Sequence, residues 1–272
     1  MSWIDRNFRY APPLFITMIL LVGHLSFGIL SSYWAIISSI LAAMATELIL
    51  ARIFLGKWKN PSSAYISGIS VGILIRSTMI WPYIVTAVIS IMTKYIFRYK
   101  NRHIYNPSNF GVSWMLFTAS WAVAGLSVQW GNEILPMAVI WIMGLVIVWR
   151  AKRLHITITY VLSFVFFAYI RSLILGDQFF AELSPLTGPM YQLFIFFMIT
   201  DPPTNVKSRK GQILVAFLVA LVEFFLRLDL LIYAPFYALF LVGPIAKLID
   251  LKWFSGKDLN KEGLQVATTP SS

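Results

Sequence analysis

Apolar residues gather in long runs separated by short polar loops, at about 12–32, 34–55, 62–80, 82–98, 108–127, 134–149, 154–175, 186–200, 211–228 and 231–248. A run of about 20 apolar residues is long enough to cross a bilayer as a helix. Counting each run as one crossing gives ten. Two runs depart from the rule. The third follows Asn60-Pro61 and opens with a Ser- and Gly-rich stretch, Ser62 to Gly72. The eighth, Leu186 to Thr200, is too short for an ordinary span; Gly188-Pro189 breaks its start and Asp201-Pro202-Pro203 stops it. Broken backbone at membrane depth is tolerated only where protein buries it or where it lines a cavity. Segments three and eight are therefore the candidate site.

The charges test the count. With the amino terminus in the cytoplasm, Arg6 and Arg9, Arg52 to Lys59, Arg98 to Arg102, Arg150 to Arg153, Lys207 to Lys210 and the Lys-bearing tail all fall inside. The outer ends receive Arg76, Arg171 and Arg227, together with Glu133, Asp177, Glu182 and Asp229. This asymmetry is the positive-inside pattern, and it places both termini in the cytoplasm. The expected fold is all-α: a multi-pass protein of the inner (cytoplasmic) membrane. Ten segments divide into halves at about 12–127 and 134–248. Segments three and eight hold equivalent places in the halves, and an odd repeat length inverts one half relative to the other. Residues 1–250 form one membrane domain, followed by a polar cytoplasmic tail, 251–272.

Composition agrees. Of 272 residues, 58% are hydrophobic and 12% charged, which is the membrane class. The net charge of +11 is accounted for by the inside loops, leaving no basic patch for nucleic acid. With no Cys, the chain carries no disulfide and no thiolate-held iron–sulfur cluster. His24, His103 and His155 lie too far apart in sequence to suggest a metal pair. A charged amino terminus followed by an apolar run without a small-residue cleavage site reads as a retained first helix.

Ionisable residues inside apolar runs are expensive and call for partners. Glu47 reads as a local ion pair with Arg52, and Glu223 with Arg227 at i, i+4. Lys94, near the end of its run, reads either as a snorkelling side chain or as a ligand contact; His24 is the weakest of the four. Asn106-Pro107-Ser108-Asn109-Phe110-Gly111 and Asp201-Pro202-Pro203-Thr204 read as helix caps or as anion-facing N–H groups.

In their order these motifs resemble the family of membrane proteins shared by the sodium-pumping NADH:quinone reductase and the Rnf ferredoxin:NAD oxidoreductase. Ser62-Ser-Ala-Tyr-Ile-Ser-Gly68 is similar to that family's serine-rich third segment. Thr93-Lys94 followed by Asn106 to Gly111 is similar to its Lys and Asn-Pro-Ala/Ser motif, and Phe196-Phe-Met-Ile-Thr-Asp-Pro202 to its Phe-Phe-x-x-Thr-Asp-Pro motif. The family attaches FMN to a threonine eight residues before the Thr of Thr-Asp-Pro. Here that position is Tyr191, and Thr187 lies four residues out of register. The resemblance thus implies no covalent flavin. Leu186-Thr-Gly-Pro-Met-Tyr191 is closer to a divergent branch associated with enediyne biosynthesis gene clusters.

Two functions remain open. The first is a redox membrane subunit that holds FMN or riboflavin non-covalently. The resemblance then assigns ligand contacts to Ser67, Gly68, Lys94, Asn106, Asn109 and Gly111, and to Thr187, Gly188, Tyr191, Thr200 and Asp201, with Tyr191 as a stacking platform. Electrons would come from redox partner subunits, because the chain has no nucleotide fingerprint. The second is a channel or carrier, since inverted repeats around broken helices are a transporter architecture. Gly68 and Gly188 are expected to let segments three and eight approach closely.

Overall fold

The computed structural model describes residues 32–100, 102–125 and 134–267, with isolated positions between 13 and 25. Most of the run at 12–32, and with it the first expected crossing, lies outside the described residues. The rest is all-α, with two short two-residue strand pairings.

Four stretches are long and apolar enough to cross a membrane: α1 (Tyr33–Leu55), α6 (Leu154–Leu175), α9 (Arg209–Leu228) and Ala234–Lys252 within α10 (Ala234–Ala267). Local chemistry sets their ends. The Ser32 hydroxyl accepts from the Ala35 N–H at 3.4 Å, and the Ser208 hydroxyl from that of Gly211 at 3.1 Å. Gly56 (φ 68°) and Gly176 (φ 75°) close α1 and α6 in the left-handed conformation that glycine adopts without strain. Shorter helices lie between them: α2 (Ser62–Leu74), α3 (Trp81–Ile96), α4 (Pro107–Thr118) and α5 (Ile134–Arg150). The tail continues α10 as helix to Ala267.

Segments three and eight are irregular. After 13 residues α2 gives way to Ile75–Arg76, which pairs antiparallel with Ala124–Gly125. At about 1.5 Å per residue, α2 reaches only about 20 Å. Segment eight is a chain of fragments: α7 (Phe179–Leu183), a 3₁₀ turn (Ser184–Thr187), α8 (Pro189–Leu193) and a π-helical turn (Phe194–Met198).

Small residues determine the first half. Ala35, Ser39, Ala43, Glu47 and Ala51 recur every fourth residue and form the buried stripe of α1. Against it lies α2, so close that a Cβ on Gly68 would stand 2.7 Å from Ile40 Cα. The Ser39 hydroxyl donates to the Gly68 carbonyl at 2.8 Å. This is the small-residue packing that lets membrane helices touch backbone to backbone. Gly68 therefore serves the α1–α2 contact, not the expected approach to segment eight. Gly188 does not serve that approach either: its φ is −76°, and an added Cβ would meet only the Pro185 carbonyl, at 3.2 Å.

Helix α1 also packs on α3, and α3 on α4; in the second half α6 packs on α9, and α9 on α10. The contacts α1–α3–α4 and α6–α9–α10 correspond, whereas α2 packs on α1 and segment eight on α5 and α6. The halves meet where α4 contacts α10: the Asn109 amide and the Ser113 hydroxyl both donate to the Phe236 carbonyl, at 3.1 and 3.2 Å.

Candidate functional site

A cavity of about 420 Å³ opens where the two irregular segments come together. Helix α2 supplies Ser63, Ser67 and Ser70, and α3 supplies Lys94. His103 and Asn106 contribute from the approach to α4, Ile147 and Val148 from α5, and Phe196, Phe197, Thr200 and Asp201 from the end of segment eight. The size falls in the range of small-molecule sites, and the lining is mainly apolar with a few converging polar groups.

The serines are arranged by helix geometry. Ser67 and Ser70 donate to the carbonyls four residues back, Ser63 O and Ile66 O, at 3.1 and 2.9 Å. With their protons so engaged, these oxygens face the cavity as acceptors. The Ser63 hydroxyl accepts from Lys94 Nζ at 3.0 Å.

Lys94 does not snorkel. It is buried, and its ammonium lies 3.2 Å from the fully buried Glu47 carboxylate. The same carboxylate receives Lys59 Nζ at 2.9 Å and the Tyr95 hydroxyl at 2.9 Å. Arg52, the partner expected for Glu47, instead donates to the Gly56 carbonyl at 2.8 Å.

The break in segment eight would leave several carbonyls without helical partners, and each finds a side chain. Thr157 donates to Ile195 O at 3.5 Å, Thr200 to Phe196 O at 2.6 Å, and the Asn205 amide to both Ile199 O and Asp201 O at 3.0 Å. Lys247 then donates to Asn205 O at 2.5 Å. Thr200 is thus a cap whose hydroxyl proton is committed. Asn205 and Lys247, which the sequence motifs do not single out, hold the turn in place. The only hint of Asn205 in the sequence is its place directly after Thr204. π-Helical turns are uncommon and frequent at functional sites.

Asp201, half-buried beside the cavity, accepts from the Thr204 hydroxyl at 2.9 Å. Burial raises its carboxyl to about 6, against the pull of that hydroxyl and of the Lys94, Lys247 and Arg153 charges. His103, which also lines the cavity, moves the other way. Burial, then the Lys94, Lys59, Lys247 and Arg98 charges, push its imidazole down to about 4, so it is neutral at pH 7.

Of the residues predicted to bind a ligand, Ser67, Lys94, Asn106, Thr200 and Asp201 line the cavity together. Asn106 also caps α4, accepting from the Asn109 N–H at 3.0 Å. Asn109 joins α4 to α10 through the Phe236 carbonyl. Gly111 is a packing position, where a Cβ would stand 2.7 Å from the Thr86 carbonyl. Thr187 is exposed and bonds the Ser184 carbonyl at 2.7 Å.

Tyr191 is not an open stacking platform. It is buried, and its hydroxyl donates to the Glu223 carboxylate and accepts from Arg227. Glu223, fully buried, also receives the Tyr160 hydroxyl and Arg227 Nε, the latter at 3.0 Å. The i, i+4 pairing of Glu223 with Arg227 is present as expected. No cluster of His, Asp and Glu suited to a metal occurs among the described residues. No family model matches the chain, and no curated protein matches it.

Proposed function

We propose that this protein is a membrane-embedded electron-transport subunit that holds a flavin non-covalently in the cavity between α2, α3, α5 and the end of segment eight. One observation carries the reading: the two irregular segments and the Lys94, Asn106 and Asp201 motifs, up to 138 residues apart (Ser63 to Asp201), converge on a single cavity of about 420 Å³. Its size and its lining suit a planar heteroaromatic ring. Phe196, Phe197 and Ile147 offer apolar faces; Lys94 is a cationic donor, Asp201 and the serine oxygens are acceptors, and His103 is a neutral imidazole. When bound, the flavin would supply the electron-transfer chemistry; the protein would bind it, exclude water and set the charge at its edge. A covalent linkage through Tyr191 is disfavoured because that phenol is buried and hydrogen-bonded. Electrons would come from redox partner subunits. The resemblance to the enediyne-associated branch supports a role for such a step in natural-product biosynthesis.

The proposed setting is an inner membrane crossed ten times, with both termini cytoplasmic and the two five-segment halves inverted. Support comes from the corresponding contacts α1–α3–α4 and α6–α9–α10 and from a buried carboxylate at each helix pair, Glu47 at α1–α3 and Glu223 at α6–α9. A second reading, a carrier or channel without redox chemistry, draws on the same two buried carboxylates, since ionisable residues within apolar spans often mark solute or proton paths.

The visible spectrum of the detergent-purified protein decides between them. The redox reading expects flavin bands, and a yellow supernatant after acid precipitation. A colourless protein that takes up neither added FMN nor added riboflavin would remove it.

A further inference from the structure

A second cavity, of about 520 Å³, adjoins the first, and the two share His103, Pro202 and Pro203 on their walls. Its character is opposite. Arg102, Arg153, Lys207 and Lys247 line it, drawn from four separate stretches of chain. Arg153 lines this cavity, and its Nη1, closed to solvent in the wall, has no hydrogen-bond partner. A buried guanidinium nitrogen left unpaired is costly, and a planar fork of N–H donors suits a phosphate. Lys247 is held rigidly by its bond to Asn205 O at 2.5 Å. Two carboxylates temper the charge: Asp250 accepts from the Lys207 N–H at 3.1 and 3.2 Å, and Asp201 stands on the wall of the first cavity. Four cations still exceed two acids.

We infer that the two cavities form one elongated site for a phosphorylated ligand, with a phosphate group on Arg153, Arg102 and Lys247 and an apolar or planar body among Phe196, Phe197 and Ile147. The inference deepens the flavin reading and rests on it for the identity of the body: it selects FMN over riboflavin. The phosphate subsite itself does not depend on that identity, because a lipid-chain phosphate presents the same head.

The test uses the full-length protein in neutral detergent and two matched pairs of probes, FMN against riboflavin and decyl phosphate against decanol. FMN is expected to bind about tenfold or more tightly than riboflavin. Arg153→Gln should lower FMN affinity to that of riboflavin and so erase the preference. Arg102→Gln, at an exposed position, should reduce the preference without threatening the fold. If neither flavin binds while decyl phosphate outcompetes decanol in an Arg153-dependent way, the phosphate subsite stands and the flavin reading falls. Equal affinities within both pairs, or a preference that survives both arginine substitutions, overturn the inference.

Discussion

Lys94 Nζ stands 3.2 Å from Glu47 Oε2, across a gap of 47 residues in sequence, and both side chains are buried. Removing one member of such a pair leaves the other as a buried charge, whereas removing both need not be costly. Lys94→Gln is therefore expected to destabilise the protein by about 3 kcal/mol, since the half-exposed Lys59 can compensate only in part. Glu47→Gln combined with Lys94→Met should recover most of the loss. Thermal unfolding in detergent measures both, and additive losses in the double variant would contradict the pairing.

The two glycines should behave differently. At Gly68 even a methyl group collides with the α1 backbone, so Gly68→Ala should lower the yield of folded protein and its melting temperature. Gly188→Ala should change stability by no more than about 0.5 kcal/mol, because its φ is ordinary and only one atom lies near. Equal tolerance at both positions would refute the α1–α2 contact.

Tyr191 offers a third test. Its hydroxyl ties together Glu223 and Arg227, and hydrogen bonds to charged groups are worth about 1.5–3 kcal/mol. Tyr191→Phe should cost about that much. The denatured wild-type protein should show no flavin fluorescence on a gel, even with a flavin transferase co-expressed. A fluorescent band that Thr187→Val removes would identify the exposed threonine as an attachment point.

Asp201 and His103 give opposing pH dependences. The Asp201 carboxyl is raised from 3.8 to about 6, so the folded state holds its proton more tightly and stability falls as pH rises between those values. His103 is lowered from 6.5 to about 4, so the unfolded state binds the extra proton and stability rises over nearly the same interval. The wild type should thus show a shallow profile from about pH 4 to 6.5. Asp201→Asn removes the falling component: it should be more stable than wild type by about 2 kcal/mol at about pH 7 and no more stable at about pH 4. A variant whose melting profile parallels that of the wild type at every pH would show that Asp201 carries no raised pKa.

Topology can be read with single cysteines, because the chain has none of its own. Cysteines introduced at Lys57, Lys100, Lys152 and Lys207 should resist membrane-impermeant thiol reagents in intact cells and react after lysis. Labelling at position 152 alone would break the alternation on which the inverted halves depend.

Much of the helical frame is legible in the sequence. The runs at 34–55, 154–175 and 211–228 correspond to α1, α6 and α9 with ends shifted by two residues or fewer, because Ser32, Gly56, Gly176 and Ser208 mark those ends chemically. The irregularity of segments three and eight is also visible, in their Ser, Gly and Pro content. Partners across helices are not. Local spacing reveals only neighbours on one helix, so it pairs Glu47 with Arg52, while the true partners arrive from α3 and the loop before α2. Tyr191 reads as an open aromatic for the same reason, its partners Glu223 and Arg227 lying on α9. The stripe Ala35, Ser39, Ala43, Glu47, Ala51 stands in the sequence at a spacing of four, and is the one signal that could have predicted the α1–α2 contact.

That contact makes the cavity walls mechanically unequal. One wall is α2, clasped to α1 by touching backbones and the Ser39–Gly68 hydrogen bond, and it cannot swing outward without breaking both. The facing wall is assembled from the short helix α5 and the π turn, where Gly144 leaves room for the Phe196 ring against the α5 backbone. The Phe196 ring rests on α5 at a single glycine, whereas α1 and α2 meet along their backbones. The α1–α2 pair is thus the fixed jamb of the cavity, and the Phe196 side is the wall built from short pieces.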